Sequence, residues 1–386
     1  MEQIEKIEQE ARKRKFPLLP YSQLVWEMQK HIPQVYSYSL SVLCDVPFSD
    51  CGKIKDAFKK AILNHPVLQT GIDENGLQYY KPCADIFHTP FLSLDFSSYE
   101  GKVKTDISAS RLFGDAISSN ILVEDFFRAY EGKPLEPDYY FAYLQYEEER
   151  KLTQKYISDR LWHEQQYANL PSVHPKPDIP LYAVENPVEG VRLIDCNDLL
   201  PLINQLACDK LISLTAFFSL VAALSMMDYN NESEAALTWA YDGREAPIEQ
   251  RICGSLHRDV PMIIKAGNSR DDLFSQVRDQ MRSGIAHSGY PFTLTPPNTD
   301  IWNFAVNVIY IPSGIDLYAN APFKVEVMPS ETPSEQPASV LFDIELHEEN
   351  GLQLLFRYSA SHYSQQSINR FCCLVRKNAE WLLQTC

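Results

Sequence analysis

Positive charge is in short supply in this 386-residue chain: 35 lysines and arginines face 51 aspartates and glutamates, a formal net charge of −16. Binding nucleic acid requires basic surface to neutralise phosphates, so that class of partner is excluded, and a membrane-surface role is weakened with it. The dense basic run Arg12-Lys13-Arg14-Lys15 reads as the solvated end of a charged helix pattern.

Long hydrophobic stretches are missing as well. The longest, "LTAFFSLVAALSMM" (214–227), falls short of the roughly 20 residues a bilayer needs. The opening "MEQIEKIEQEARKRK" is charged throughout and lacks a signal-peptide core. Nine cysteines show no metal-type spacing, and the adjacent Cys372–Cys373 lies in a helical pattern where buried, reduced thiols are ordinary. There is no internal repeat, no Gly-rich phosphate loop, no readable Ser-His-Asp order and no His/Cys metal set; the serine of "ICGS" lacks the Gly-x-Ser-x-Gly frame. These absences predict a cytoplasmic protein without a metal, a membrane or nucleic acid.

What is present is apolar material for a large core, 45% of the residues, over a length that suggests two domains. "SYSLSVLCDVPF" (37–48) alternates like a strand, and "DCGKIKDAFKKAILNH" (50–65) puts Ile54, Phe58, Ala61 and Ile62 on one helical face. "PVLQTGIDENGLQYYKP" reads as a hairpin around "ENG". Helical patterns follow at 117–131 and 138–168. Composition then breaks at "NLPSVHPKPDIPLYAVENPVEG" (169–190), whose five prolines predict an extended linker. Beyond it come helices at 197–209 and 214–228, the strand "AALTWAY", a helix at 270–286, strands in "WNFAVNVIYI", "ASVLFDIELHEE" and "LQLLFRYS", a hairpin turn in "HEENGLQ", and a closing helix at 364–384. This order predicts two α+β lobes, 1–168 and 191–386, joined by the 169–190 linker and each built on a mixed sheet.

One loop stands out. "SASRLFGDA" (108–116) joins the strand-like "KVKTDIS" to a helix and carries Arg111 and Asp115 four residues apart. It reads either as a catalytic elbow or as the remnant of one.

Several stretches, in order, resemble the condensation domains of nonribosomal peptide synthetases. "LLPYSQLVWEMQ" looks like the family's opening helix motif, with Ser22, Gln23 and Trp26 at matching places. "NHPVLQTGI" is similar to its Arg-His-x-x-Leu-Arg-Thr signature, with Asn64 and Gln69 in place of the arginines. "VEDFFRAYEGKPL", "RLWHEQQYANLP", "YDGREAP", "CGSLHRDVPM" and "AHSGYPF" resemble later family segments, so the likeness covers nearly the whole chain. It implies the chloramphenicol acetyltransferase-like fold, two lobes in a V-shaped pseudo-dimer around a central cleft. It also implies a role in secondary metabolite biosynthesis.

On that pattern "SRLFGDA" falls where the active-site motif His-His-x-x-x-Asp-Gly belongs, with Ser110, Arg111, Asp115 and Ala116 at its four fixed positions. In the family the second histidine positions or deprotonates the attacking amine. Arginine stays charged at neutral pH and is a poor base. The aspartate is structural in the family and pairs with an arginine of the second lobe, which points to an Asp115–Arg244 pair across the lobe junction. The family also inserts a helix and a strand between "FLSLDFSS" and the motif, where here only "YEGKVKTD" intervenes. His257, Arg258 and His287 match positions that line the cleft or are structural.

The resemblance therefore implies a condensation-like domain that is catalytically inactive and acts as a scaffold. Its partners would be a peptidyl or acyl carrier protein, other synthetase modules or tailoring enzymes, and its only cofactor contact the phosphopantetheine arm of the carrier. One family subgroup also has arginine at the second histidine and recruits oxygenases, but it keeps a first histidine where this chain has Ser110. The alternative is an active amide-forming enzyme that works by substrate positioning, and a third reading is a free-standing domain with an unrelated ligand.

Overall fold

The computed structural model describes residues 2–31, 37–112, 114–171, 173–180, 188–267, 269–294, 306–311, 321–328, 342–347 and 352–384. Contacts divide the chain into two units that interleave along the sequence. Unit 1 is Met1–Thr153, Asp242–His257 and Ile315–Ser334; unit 2 is Gln154–Tyr241, Arg258–Gly314 and Glu335–Cys386.

Unit 1 runs α1 (Glu2–Ala11), β1 (Lys15–Pro17), α2 (Pro20–His31), β2 (Ser37–Pro47), α3 (Cys51–Asn64), β3 (Thr70–Ile72), β4 (Leu77–Tyr80), β5 (Leu92–Tyr99), β6 (Lys102–Ser110), α4 (Ala116–Tyr130) and α5 (Tyr140–Arg150), and recruits β11 (Val325–Met328). Its strands form a four-stranded sheet, β11-β2-β6-β5, and a three-stranded one, β1-β4-β3. Both are antiparallel throughout, so the mixed sheet expected of the first half is not found among its described strands. The α3 face expected from periodicity is buried: Ile54, Phe58, Ala61 and Ile62 all lie inside. The β3–β4 hairpin turns where the Asp73 carboxylate accepts the Asn75 and Leu77 N–H groups and Gly76 takes φ 76°, a conformation that favours glycine.

Unit 2 runs α6 (Gln154–Gln166), β7 (Glu189–Asp195), α7 (Leu200–Lys210), α8 (Leu214–Asn230), β8 (Glu234–Tyr241), β9 (Arg258–Lys265), α9 (Arg270–His287), β10 (Val306–Ile311), β12 (Phe342–His347), β13 (Gln353–Ser359) and α10 (Gln365–Leu383). Its six-stranded sheet has the order β7-β13-β12-β10-β8-β9 and is mixed, because β10 runs parallel to both β8 and β12 while the other pairs are antiparallel. The turn of the "HEENGLQ" hairpin lies outside the described residues, as do the first residues of "WNFAVNVIYI". The core gathers around α8, whose Phe217, Leu220, Val221 and Met226 pack with Leu237, Met262, Phe356 and Phe371. A helix apolar on all sides belongs in the middle of a domain. Ser213 starts it by accepting the Ala216 N–H, and Asn231 ends it at φ 56°. No single described helix is long and apolar enough to cross a membrane; α7 and α8 reach that composition only as a pair bent by 103°.

The units do not part at the proline-rich segment 169–190. The pattern read as one helix over 138–168 is two helices, broken where the Thr153 N–H and hydroxyl both donate to the Arg150 carbonyl, and α6 then joins unit 2 against α9. Residues 242–257 join unit 1 because Arg244 buries its charge there.

Candidate functional site

Strand β6 carries the loop in question to its place. Ser110 ends the strand opposite Ser37 of β2, and its hydroxyl accepts the Leu112 N–H at 3.2 Å. Arg111 follows, half-buried, with Nη1 donating to the Tyr21 hydroxyl of α2 at 3.4 Å. Ser22, next on the same helix, donates to the Leu112 carbonyl. Phe113 lies outside the described residues. Ala116, the last position of the motif, is exposed at the start of α4.

Upstream, β5 and β6 are joined directly. Tyr99 pairs with Lys102, and Glu100 and Gly101 between them take φ 49° and 77°. Positive φ at both central residues is the twist-matched two-residue hairpin. No helix or strand is inserted there.

Asp115 is the best-connected group in the loop. It caps α4: Oδ1 accepts the Ser118 N–H at 2.9 Å. Arg244 grips both carboxylate oxygens at 3.0 Å, and Oδ2 also accepts the Leu256 and His257 N–H groups at 3.0 and 3.1 Å. The Arg244 side chain is wholly buried and donates further to Asp242 and to the Ile252 and Gly254 carbonyls. Burial alone would push the Asp115 carboxyl up; the Arg244 charge and hydrogen bonds outweigh it and hold the group below the ordinary carboxylate range. The two residues do meet, but inside unit 1 and not across a junction of the two lobes as drawn from the sequence. Gly114 makes room for this knot, since a Cβ there would lie 2.5 Å from that of Ser118. The Ser118 hydroxyl sits within 2.9 Å of the Gly254 carbonyl and N–H.

His257 lies beside the loop. Its side chain is 20% exposed, with Nδ1 4.0 Å from Asp115 Oδ2. Its ring meets that of Tyr21 edge-on at 4.2 Å. Thus Ser110, Arg111, Asp115, Arg244 and His257 belong to one unit. Arg258 and His287 belong to the other. Arg258 opens β9 and donates to the Ser288 hydroxyl at 3.3 Å. His287 ends α9, where Nδ1 lies 2.8 Å from the Asp159 carboxylate and the ring stacks on Trp162 at 4.3 Å.

A second buried cluster in unit 1 escaped sequence reasoning. His65, at the end of α3, places Nδ1 2.9 Å from Asp138 and Nε2 3.1 Å from Asp125. Asn64 donates to Asp125 at 2.8 Å, and Arg251 pairs with both Asp125 and Glu124. Asp138 also accepts the Cys253 N–H at 3.0 Å. Burial opposes charge on His65, but Cys253, Asp125 and Asp138 around the ring outweigh it and raise the imidazole pKa. The histidine was legible in "NHPVLQ"; its partners lie 60 to 188 residues away, and nothing local marks them.

Solved structures share this fold. The X-domain from teicoplanin biosynthesis superposes with a TM-score of 0.76 at 13% identity, covering 96% of this chain and 95% of that one. The epimerization domain from the third module of tyrocidine synthetase B gives 0.75 at 14% identity, over 96% and 97%. The first condensation domain of the calcium-dependent antibiotic synthetase, in complex with a substrate analogue, gives 0.73 at 14% identity, over 96% and 97%. At such identities the likeness establishes the chloramphenicol acetyltransferase-like fold. No curated protein matches the chain in sequence. The family model described as the condensation domain matches residues 112–386, well over half of the chain, and the chain belongs to that family.

Proposed function

We propose that this condensation domain no longer forms amide bonds and serves nonribosomal peptide assembly as a scaffold. It would hold a peptidyl or acyl carrier protein, with its phosphopantetheine arm, or a partner module or tailoring enzyme. The observation that supports the reading is the half-buried Arg111 at the end of β6, which the sequence resemblance sets at the position of the amine-activating histidine. A guanidinium with a pKa above about 12 takes no proton from an ammonium nucleophile. Asp115 does not replace it, because Arg244, Ser118 and two backbone N–H groups already occupy its oxygens.

The test incubates the domain with an acyl-loaded donor carrier and an aminoacyl-loaded acceptor carrier and follows carrier-bound product by mass spectrometry, against a reaction without the domain. Carrier pull-down without product above that control is the expected result; product above it overturns the reading. The second reading, amide formation by positioning, is favoured by the placement of Arg111 beside the Tyr21 hydroxyl. It predicts turnover that falls by about 10²–10³-fold in Arg111→Ala, the loss expected when one oxyanion-stabilising donor is removed.

A further inference from the structure

We propose that His65, Asp138 and Cys253 form a buried zinc site in which one Zn²⁺ takes the place of two protons. The inference does not depend on the scaffold reading. The three residues come from the end of α3, the segment before α5 and the turn at 252–254. One ligand atom from each lies within 4.8 Å of the others, and all three side chains are buried. Imidazole nitrogen, carboxylate oxygen and thiolate sulfur are the donors zinc accepts.

Two features make this more than a cluster of buried polar groups. Asp138 Oδ1 has no hydrogen-bond partner of good geometry among the described residues although its side chain is fully buried, and of the backbone N–H groups that of Tyr140, besides that of Cys253, comes near the carboxylate. An orphaned carboxylate oxygen is expensive inside a protein, and a cation on Nδ1, Oδ2 and Sγ would engage it as the fourth donor of a bidentate carboxylate. In addition, the ring nitrogen of His65 that points away from Asp138 lies 3.1 Å from the Asp125 carboxylate, not yet in line for a hydrogen bond, and Asp125 is itself held by Asn64 and Arg251. Metal-bound histidines give the far N–H to a carboxylate, and a small turn of the ring on metal binding would align Nε2–H with Asp125.

The exchange balances. Without metal, the proton on His65 Nδ1 lies between the ring and Asp138, and the Cys253 thiol donates to the Ser118 carbonyl at 3.5 Å. Zinc entry forms bonds to Nδ1, Sγ and the Asp138 carboxylate and releases the Nδ1 proton and the thiol proton, while the Nε2 proton stays on the ring, facing Asp125. Two positive charges enter and two leave, so the interior gains no net charge to desolvate. The ligands meet only in the folded unit, so the metal would be captured on folding.

The test uses the full chain expressed with zinc supplementation and purified without chelator. Mass spectrometry of metals should find about one zinc per chain, and zinc added to chain refolded without metal should release about two protons per metal. Refolding with Co²⁺ should give a thiolate-to-cobalt charge-transfer band. Cys253→Ser and Asp138→Asn, each near its parent in size, should lose the zinc, and the serine variant the band. If one of them fails to fold, the other and the wild-type spectrum decide. Wild-type protein carrying no zinc above the buffer blank overturns the proposal, as does zinc retained by the folded variants, which would place it on another of the nine cysteines.

Discussion

The two units keep different things in their interiors. In unit 2 the centre is apolar: α8 lies among the sheet, α9 and α10 with Phe217, Leu220, Phe356 and Phe371 packed together. In unit 1, charges are buried around the motif loop and the helix ends: Asp115 with Arg244, His65 between Asp125 and Asp138, and Arg251 beside Asp125. Apolar packing tolerates repacking if volume is kept. A buried ion tolerates only its partner. The loop that carries Ser110 and Arg111 thus sits on an intact ionic frame. The frame has the more immediate structural penalty for change, because removing one of its members strands the others, whereas losing a base costs the fold nothing.

The largest effect should come from breaking that frame. Arg244→Met leaves the Asp115 carboxylate buried without its bidentate partner, and Asp115→Ala leaves the buried guanidinium with the half-exposed Asp242 as its one remaining carboxylate among the described residues; each should cost about 3–5 kcal/mol. Denaturant titration of the two single variants and the double variant checks this. The double variant should lose less than the sum, because no lone charge remains. A single variant that melts with wild type would break the comparison. On the apolar side, Leu220→Ala in the middle of α8 should cost about 3 kcal/mol by transfer and cavity terms together. It should combine additively with Asp115→Ala, since the two residues share no partner.

A smaller effect arises in unit 2, where one buried histidine is held neutral. Burial, ahead of its other influences, pulls the His163 pKa down from 6.5 to about 4. Nε2 donates to the His287 carbonyl at 3.1 Å, and Nδ1 has no partner among the described residues, so a second ring proton would find no acceptor. The unfolded chain binds that proton at the higher pKa. Its contribution to stability is therefore complete above pH 6.5, falls as pH drops, and is exhausted near pH 4, a total of up to about 3 kcal/mol. The pH profile of His163→Gln should be flatter than wild type by that difference over this window. Parallel profiles would show that the ring is not neutral in the fold.

Much of unit 2 was legible in the sequence, because α8 is apolar all round, α9 and α10 bury periodic faces, and all three start at serine caps, Ser213, Ser269 and Ser364. The division of the chain was not. Prolines at 169–190 mark an irregular segment, but the break that matters is three residues at 151–153, where the helical pattern runs on. The assignment of 242–257 to unit 1 depends on where Arg244 finds its carboxylate, a contact 129 residues away in sequence. The loop itself could be singled out because Ser110, Arg111 and Asp115 lie in one short segment whose spacing resembles a known motif. The His65 cluster was not, because its donors approach only after α3, α4 and the 252–254 turn have packed.

The smallest expected effect tests the loop. Ser110→His with Arg111→His restores the family's paired histidines on the β6 end, beside Tyr21 and the Asp115 frame. Stability should change little: Ser110 and Arg111 are half-buried, and among the described residues the Ser110 hydroxyl makes a local bond to the Leu112 N–H. Catalysis should not return either. A base acts only when its rotamer is fixed by surrounding groups and water is kept from the nucleophile. Here β5 passes into β6 through the two-residue turn Glu100–Gly101, which leaves no helix or strand between them to supply those walls. The restored histidine would hold a lone pair without a substrate fixed in front of it, and orientation is the larger part of such a reaction, worth about 7–11 kcal/mol when fully realised. The double variant should bind a loaded carrier as wild type does and give no product above the control without the domain. Product from the double variant, with none from wild type, would show that the ionic frame by itself is enough to position the acceptor amine and that the loss of activity lies in two side chains alone.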